Sequence, residues 1–198
     1  MLCLGRKGRM SQINEIQKID RLRERGVLIG VTGGIAAYKA ADLVSRLTQR
    51  GAKVSVVMTT AAMEFVGPKT FEALSGRPVG HDMFSDGKPF AHLSFAKDGE
   101  VFCIVPATAN ILAKAAHGIA DDLVSTLCLS FEGPILFAPG MNCNMWKKPA
   151  VQRNVRRLQD DGHKLIGPTE GHLACGENGV GRLESVDAIL DAIVDALP

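Results

Sequence analysis

The sequence carries almost no net charge, +2 from 23 basic and 21 acidic residues among 198, so its electrostatics give no support to a general role on nucleic acid or at a membrane surface. The small excess is uneven. Residues 1–26 hold seven Lys or Arg against three Asp or Glu, and the remainder, sixteen against eighteen, is slightly acidic. No apolar run approaches the roughly 20 residues that span a bilayer, and the basic residues 1–10 lack the apolar core of a secretion signal that would have to follow them. No Cys-x-x-Cys pair occurs. Cys3, Cys103, Cys128, Cys143 and Cys175 are odd in number and widely spaced, which argues against disulfides and zinc and for a reducing, cytoplasmic compartment. His81, His117, His163 and His172 share no ligand spacing, so no metal is expected.

What is present is an ordinary globular composition, 46% hydrophobic and 22% charged, in a chain long enough for one domain around a sheet. Ser11 is placed to cap a helix with Ile13, Ile16, Ile19 and Leu22 at intervals of three, stopped by Gly26. Residues 1–26 therefore read as a basic, partly helical extension ahead of a domain over 27–198. From Val27 onward short apolar runs alternate with helix-period segments, the signature of βαβ units and a parallel sheet. Strands are expected at Val27–Val31, Val54–Met58, Val101–Val105, Ile135–Ala138 and Lys164–Ile166. Helices are expected over Ile35–Arg50, Ala61–Val66, Thr70–Leu74, Ile111–Ala116, Asp122–Leu129 and Ala150–Asp161, with a last one capped by Ser185; Arg77–Ala91 reads as irregular. Val27–Val31 and Val101–Val105 are apolar on both faces, as central strands covered on each side require. The fold class is α/β, a doubly wound parallel sheet in a single domain.

Ligands of such sheets bind beyond the carboxyl ends of the strands, so the loops of interest are Thr32–Ile35, Thr59–Ala61, Pro106–Asn110 and Pro139–Asn142. Thr32-Gly33-Gly34-Ile35 places glycines where amides at a helix start can approach a phosphate. The spacing is not Gly-x-Gly-x-x-Gly, and no Lys-Ser/Thr pair follows to build a triphosphate loop. The second strand ends in Met58, Thr59 and Thr60, without the acid that a dinucleotide ribose wants, so a mononucleotide such as FMN is favoured over NAD. A plain close turn would use the same glycines. Thr59, Thr60, Thr108 and Asn110 suit ribityl hydroxyls and flavin edges, and each also suits a helix cap.

Three further points carry chemistry. His92, between Ala91 and Leu93, is a candidate base or a packed histidine. Ala138-Pro139-Gly140-Met141-Asn142 puts an amide where a buried strand should stop, with the only Trp of the chain, Trp146, close behind. Gly171–Arg182, with four glycines in twelve residues, reads as a mobile loop of the kind that closes over substrates, and Cys175 within it is a candidate reactive thiol.

Five motifs then match a known family in order: Thr32-Gly33-Gly34-Ile35-Ala36-Ala37-Tyr38-Lys39; Pro106-Ala107-Thr108-Ala109-Asn110; Gly118-Ile119-Ala120-Asp121-Asp122-Leu123; Pro139-Gly140-Met141-Asn142 with Met145-Trp146; and Ala174-Cys175-Gly176 with Gly179-Val180-Gly181-Arg182. From Val27 onward the chain resembles the phosphopantothenoylcysteine decarboxylases, of the homo-oligomeric flavin-containing cysteine decarboxylase family. The resemblance implies a flavodoxin-like (Rossmann-like) fold, a trimer or dodecamer, and FMN near subunit interfaces. It implies that phosphopantothenoylcysteine loses its cysteinyl carboxylate to give phosphopantetheine for coenzyme A. The flavin oxidises the thiol to a thioaldehyde, carbon dioxide leaves to give an enethiolate, and reduced flavin returns the electrons. Carried over position by position, His92 matches the base, Asn142 the amide that holds the carboxylate, and Cys175 the acid. Thr32, Gly33, Gly34, Ile35, Thr59, Thr60, Ala61, Thr108, Ala109, Asn110 and Gly140 match FMN contacts. His172, Ala174, Arg182 and Leu183 match a substrate clamp at about 169–182.

Departures from the family pattern are Gly140, where Ala is usual, Leu93-Ser94-Phe95 after His92, and Asp98-Gly99-Glu100 before the next strand. Many bacterial relatives continue into a ligase domain; with this sequence ending at Pro198, a separate synthetase is expected. Two other readings stay open: a peptide-cysteine decarboxylase of the lantibiotic type, and a flavin-binding regulatory subunit.

Overall fold

A computed structural model describes residues 20–83, 91–172, 174 and 176–198, with Ala91 and His92 described by their backbone alone. The expected helix from Ser11 lies outside the described residues except for a final turn at 20–22. Leu22 in that turn is fully buried.

Five strands form one parallel sheet: β1 (Gly26–Val31), β2 (Lys53–Met58), β3 (Val101–Ala107), β4 (Ile135–Pro139) and β5 (Lys164–Leu165). Their order is β2-β1-β3-β4-β5, so the order reverses between β1 and β3. That is the flavodoxin-like arrangement, and its reversal point is where such sheets take a ligand. The register follows from the apolar pattern. Val27, Ile29, Val31, Val54, Val56, Cys103 and Val105 face one core, and Leu28, Val57, Phe102, Ile104 and Phe137 face the other.

The first face is covered by α1 (Ala37–Gln49), α3 (Pro68–Ser75) and α9 (Val186–Ala196), through Leu43, Leu47, Phe71, Leu190 and Ile193 among others. The second is covered by α5 (Ala109–His117), α6 (Leu123–Ser130) and α8 (Pro149–Asp160), through Ile111, Leu127 and Leu158. The short helices α2 (Thr60–Met63) and α7 (Cys143–Lys147) follow β2 and β4 directly. Ser185 caps α9 as expected, its hydroxyl accepting from the Ala188 N–H.

Two expectations need correction. Ala91–Asp98 is a helix, α4, where the sequence reads as irregular up to Ala91 and as undefined beyond it. Phe95 on it packs against Gly80, where a methyl group would come within 2.6 Å of the ring. Tertiary packing, which local sequence does not display, holds this helix. The glycine-rich segment expected as a loop throughout has strands at its two ends, the antiparallel pair β6 (Thr169–His172) and β7 (Asn178–Arg182), and keeps Ala174, Gly176 and Glu177 outside them. Ladder hydrogen bonds give it the regularity that its glycines disfavour.

The departure Asp98-Gly99-Glu100 has a structural use. Glu100 accepts from the Gly26 N–H at 3.0 Å and pairs with Arg25 at 2.7 Å, which ties the start of β1 to the start of β3.

Candidate functional site

Four strands deliver their carboxyl ends to one cleft of about 1060 Å³. From β1 come Thr32, Gly33, Gly34 and Ile35; from β2, Thr59, Thr60 and Ala61; from β3, Thr108, Ala109 and Asn110; from β4, Gly140, Met141 and Asn142. The β6–β7 hairpin adds His172 and Arg182, with Ala174 in its turn and Leu183 just beyond it. Every cofactor position and clamp position expected from the sequence therefore borders the same space. Cys175 lies outside the described residues, and of His92 only the backbone, in the first turn of α4, is described.

The loops are locked to one another before any ligand is considered. Thr32 is 2% exposed; its hydroxyl donates to the Pro106 carbonyl at 2.6 Å and accepts from the Thr108 N–H at 3.2 Å. Its side chain thus clamps the β1 loop to the β3 loop at the point of strand reversal, which leaves its backbone for a ligand. Thr59 and Thr108 each cap the helix that follows, accepting from Ala62 and Ile111. A cap uses only the hydroxyl's acceptor side, so the Thr59 O–H still has a proton to donate, while the Thr108 hydroxyl also meets the Thr32 hydroxyl at 3.3 Å. At Gly33 a methyl group would come within 2.5 Å of the Ala61 Cβ, so this glycine serves the close approach of two loops. At Gly140 a methyl group would make ordinary 3.4 Å contacts with Leu183 and Pro106. Alanine, usual in the family there, would fit.

Asn142 caps α7, its Oδ1 accepting from the Asn144 N–H at 2.8 Å. That bond fixes which end of the amide is oxygen, and it sends Nδ2 toward the hairpin, where it donates to Glu177 at 3.2 Å.

The sequence reading gave no role to several residues that also line the cleft. Lys114 pairs with Asp121 at 2.6 Å and Asp122 at 2.7 Å. The hydrogen bond from Lys114 holds the Asp121 carboxyl below its ordinary range. Asp122 also caps α6 in a reciprocal pair with Ser125, a spacing visible in the sequence. Lys39, in the first turn of α1, is held below its ordinary value by burial and by the nearby Arg182 charge. Tyr38 and Met145, beside the expected cofactor contact Ile35, present large apolar surface at the mouth. Their signal was in the quoted motifs, but nothing local marks a cleft one helical turn inside the loop.

The site fits FMN. The first turn of α1 holds no acid, as a phosphate there requires. The cleft's own carboxylates, Asp121 and Asp122, are both paired with Lys114. Its walls combine hydroxyl and amide groups from three strand ends with apolar Ile35, Met141 and Leu183, the mixture a flavin ring and ribityl chain need. Among the described residues no group of three His, Cys, Asp or Glu could hold a metal ion, and no helix is long and apolar enough to cross a membrane.

The family model described as Flavoprotein matches residues 12–197. The "Coenzyme A biosynthesis bifunctional protein CoaBC" of Bacillus subtilis is 46% identical over 171 residues, 85% of this chain and 42% of that protein, so the chain spans about two-fifths of such relatives. The "probable phosphopantothenoylcysteine decarboxylase" of Streptococcus mutans is 42% identical over 86% of this chain and 98% of its own length. Among solved structures, the FMN-dependent cysteine decarboxylase SpaF is 37% identical with a TM-score of 0.75, covering 89% of this chain and 98% of its own. With the model matched over nearly the whole chain and a relative matched almost end to end, the chain belongs to the Flavoprotein family, in the company of the phosphopantothenoylcysteine decarboxylases.

Proposed function

We propose that the chain catalyses FMN-dependent decarboxylation of 4'-phosphopantothenoylcysteine to 4'-phosphopantetheine in coenzyme A biosynthesis, in the cytoplasm. The observation that carries this is the convergence of four strand ends on one cleft, with the Asn142 amide oriented by the Asn144 N–H and its NH₂ end already on a carboxylate, that of Glu177. When bound, FMN supplies a reversible two-electron oxidation of the substrate thiol, without which the carbanion left by carbon dioxide has no sink.

The backbone of Thr32–Ile35 and the hydroxyls of Thr59, Thr60 and Thr108, with the Asn110 amide, hold the cofactor. Asn142 donates an N–H to the cysteinyl carboxylate. A neutral amide positions that group without the strong ion pair that would stabilise it against leaving. Met141, Met145 and Leu183 line the same wall and exclude water from the departing carboxylate. His92 takes the proton released on thiol oxidation, and Cys175 returns one to the enethiolate. His172, Ala174, Arg182 and Leu183, on or beside the β6–β7 hairpin, hold the rest of the substrate. The protein works as a homo-oligomer, a trimer in the simplest case, and the exposed Ile35, Tyr38 and Met145 at the cleft mouth support a covered position for that edge.

The alternative substrate, carried from the sequence reading, is a peptide ending in cysteine. The test is purified protein offered phosphopantothenoylcysteine or a cysteine-ended peptide. Yellow protein that releases FMN on denaturation and turns over only the first is expected. Turnover of the peptide alone would shift the substrate class, and colourless protein that cannot be reconstituted with FMN would end the flavin reading.

A further inference from the structure

We infer that Glu177 is an internal competitor for the Asn142 amide and so sets the affinity of the cleft for carboxylate-bearing ligands. This rests on the reading of Asn142 given above. A single oxygen, Glu177 Oε2, accepts from Asn142 Nδ2 at 3.2 Å and from Cys143 Sγ at 3.1 Å. The Asn144 N–H holds Oδ1 of Asn142 at 2.8 Å, so the end that the amide turns to a carboxylate is its NH₂. The group assigned to a substrate carboxylate is therefore holding one of the protein's own.

Glu177 is brought to this place by backbone rather than by the reach of a long side chain. The Met141 N–H donates to the Gly181 carbonyl at 2.9 Å, which fastens β7 to the turn after β4. A methyl group at Gly179 would come within 3.0 Å of the Cys143 Cβ, and one at Gly181 would strike the Met141 carbonyl. With glycines packed this closely at both positions, β7 has no room to slide, and residue 177 is held beside Asn142.

A second carboxylate on the same NH₂ group would lie roughly 4–6 Å from the first, where like charges repel appreciably even at a protein surface. Binding a carboxylate at Asn142 therefore requires Glu177 to give way. The same competition leaves a ligand without a carboxylate indifferent to residue 177, so Glu177 discriminates by charge and acts on substrate more than on decarboxylated product.

The test uses FMN-loaded full-length protein and two non-reacting ligands, S-methyl phosphopantothenoylcysteine, which keeps the carboxylate, and S-methyl phosphopantetheine, which lacks it. Glu177→Gln removes the charge and leaves an oxygen to accept from Asn142 and Cys143, so the hairpin stays in place. Titration calorimetry should show the first ligand binding about two- to fivefold tighter to Glu177→Gln than to wild type, the range of a solvent-screened charge interaction, and the second unchanged. In an Asn142→Ala background the gain should vanish. Equal changes for both ligands, or no tightening of the first, would overturn the role of Glu177. Wild-type protein that binds neither ligand would instead overturn the substrate reading on which it rests.

Discussion

Thr32 shows how much a site can depend on a side chain that need not touch the ligand. Its hydroxyl donates to one residue of the β3 loop and accepts from another, and Thr32 itself is buried. Thr32→Val keeps the shape and leaves the Thr108 N–H and the Pro106 carbonyl short of a partner. We expect a loss of about 1–3 kcal/mol in unfolding free energy by denaturant titration, with weaker FMN retention, while Thr32→Ser stays close to wild type. The two glycines of interest should behave oppositely. Gly33→Ala meets Ala61 and should cost about 1–3 kcal/mol. Gly140→Ala meets only ordinary contacts and should leave stability within about 0.5 kcal/mol, with FMN content unchanged by absorbance. Of the other two candidate catalytic residues, His92→Asn should keep FMN and lose turnover, and Cys175→Ser should accumulate the oxidised enethiol product, both read by mass spectrometry.

At the scale of elements, the strands were legible and the hairpin was not. β1 and β3 could be read because each is an unbroken apolar run that only a sheet covered on both faces explains. The polar strand ends could be read because nothing in a core calls for threonines and amides there. β6 and β7 lack both signals: their ladder pairs Gly171 with Gly179 and His172 with Asn178, none of which favours a strand by itself. The hairpin is held by contacts far away in sequence, to Met141 and Cys143. For the same reason the Glu177–Asn142 pair, 35 residues apart, was invisible before the fold was known. Gly181 is the residue through which this can be tested. Its φ of 153° and its closeness to the Met141 carbonyl leave no place for a side chain. Gly181→Ala should move β7 off the turn, raise the KM for substrate about tenfold as clamp contacts are lost, and leave FMN content unaltered. Loss of FMN together with substrate binding would mean that the hairpin supports the whole cleft instead of one side of it.

At the scale of the molecule, the order β2-β1-β3-β4-β5 does the decisive work. It opens a crevice at the β1–β3 reversal, and four loops that are remote in sequence meet there because parallel strands all end on the same side. Residues with modest individual signals become a cofactor cleft by this arrangement alone. The central claim is that the cleft removes carbon dioxide from a phosphorylated cysteine derivative. It is tested most directly by incubating the FMN-loaded protein with phosphopantothenoylcysteine under anaerobic conditions and following products by mass spectrometry. The account predicts phosphopantetheine and carbon dioxide in equal amounts, with no external oxidant consumed. Unchanged substrate in the presence of fully bound FMN would contradict it.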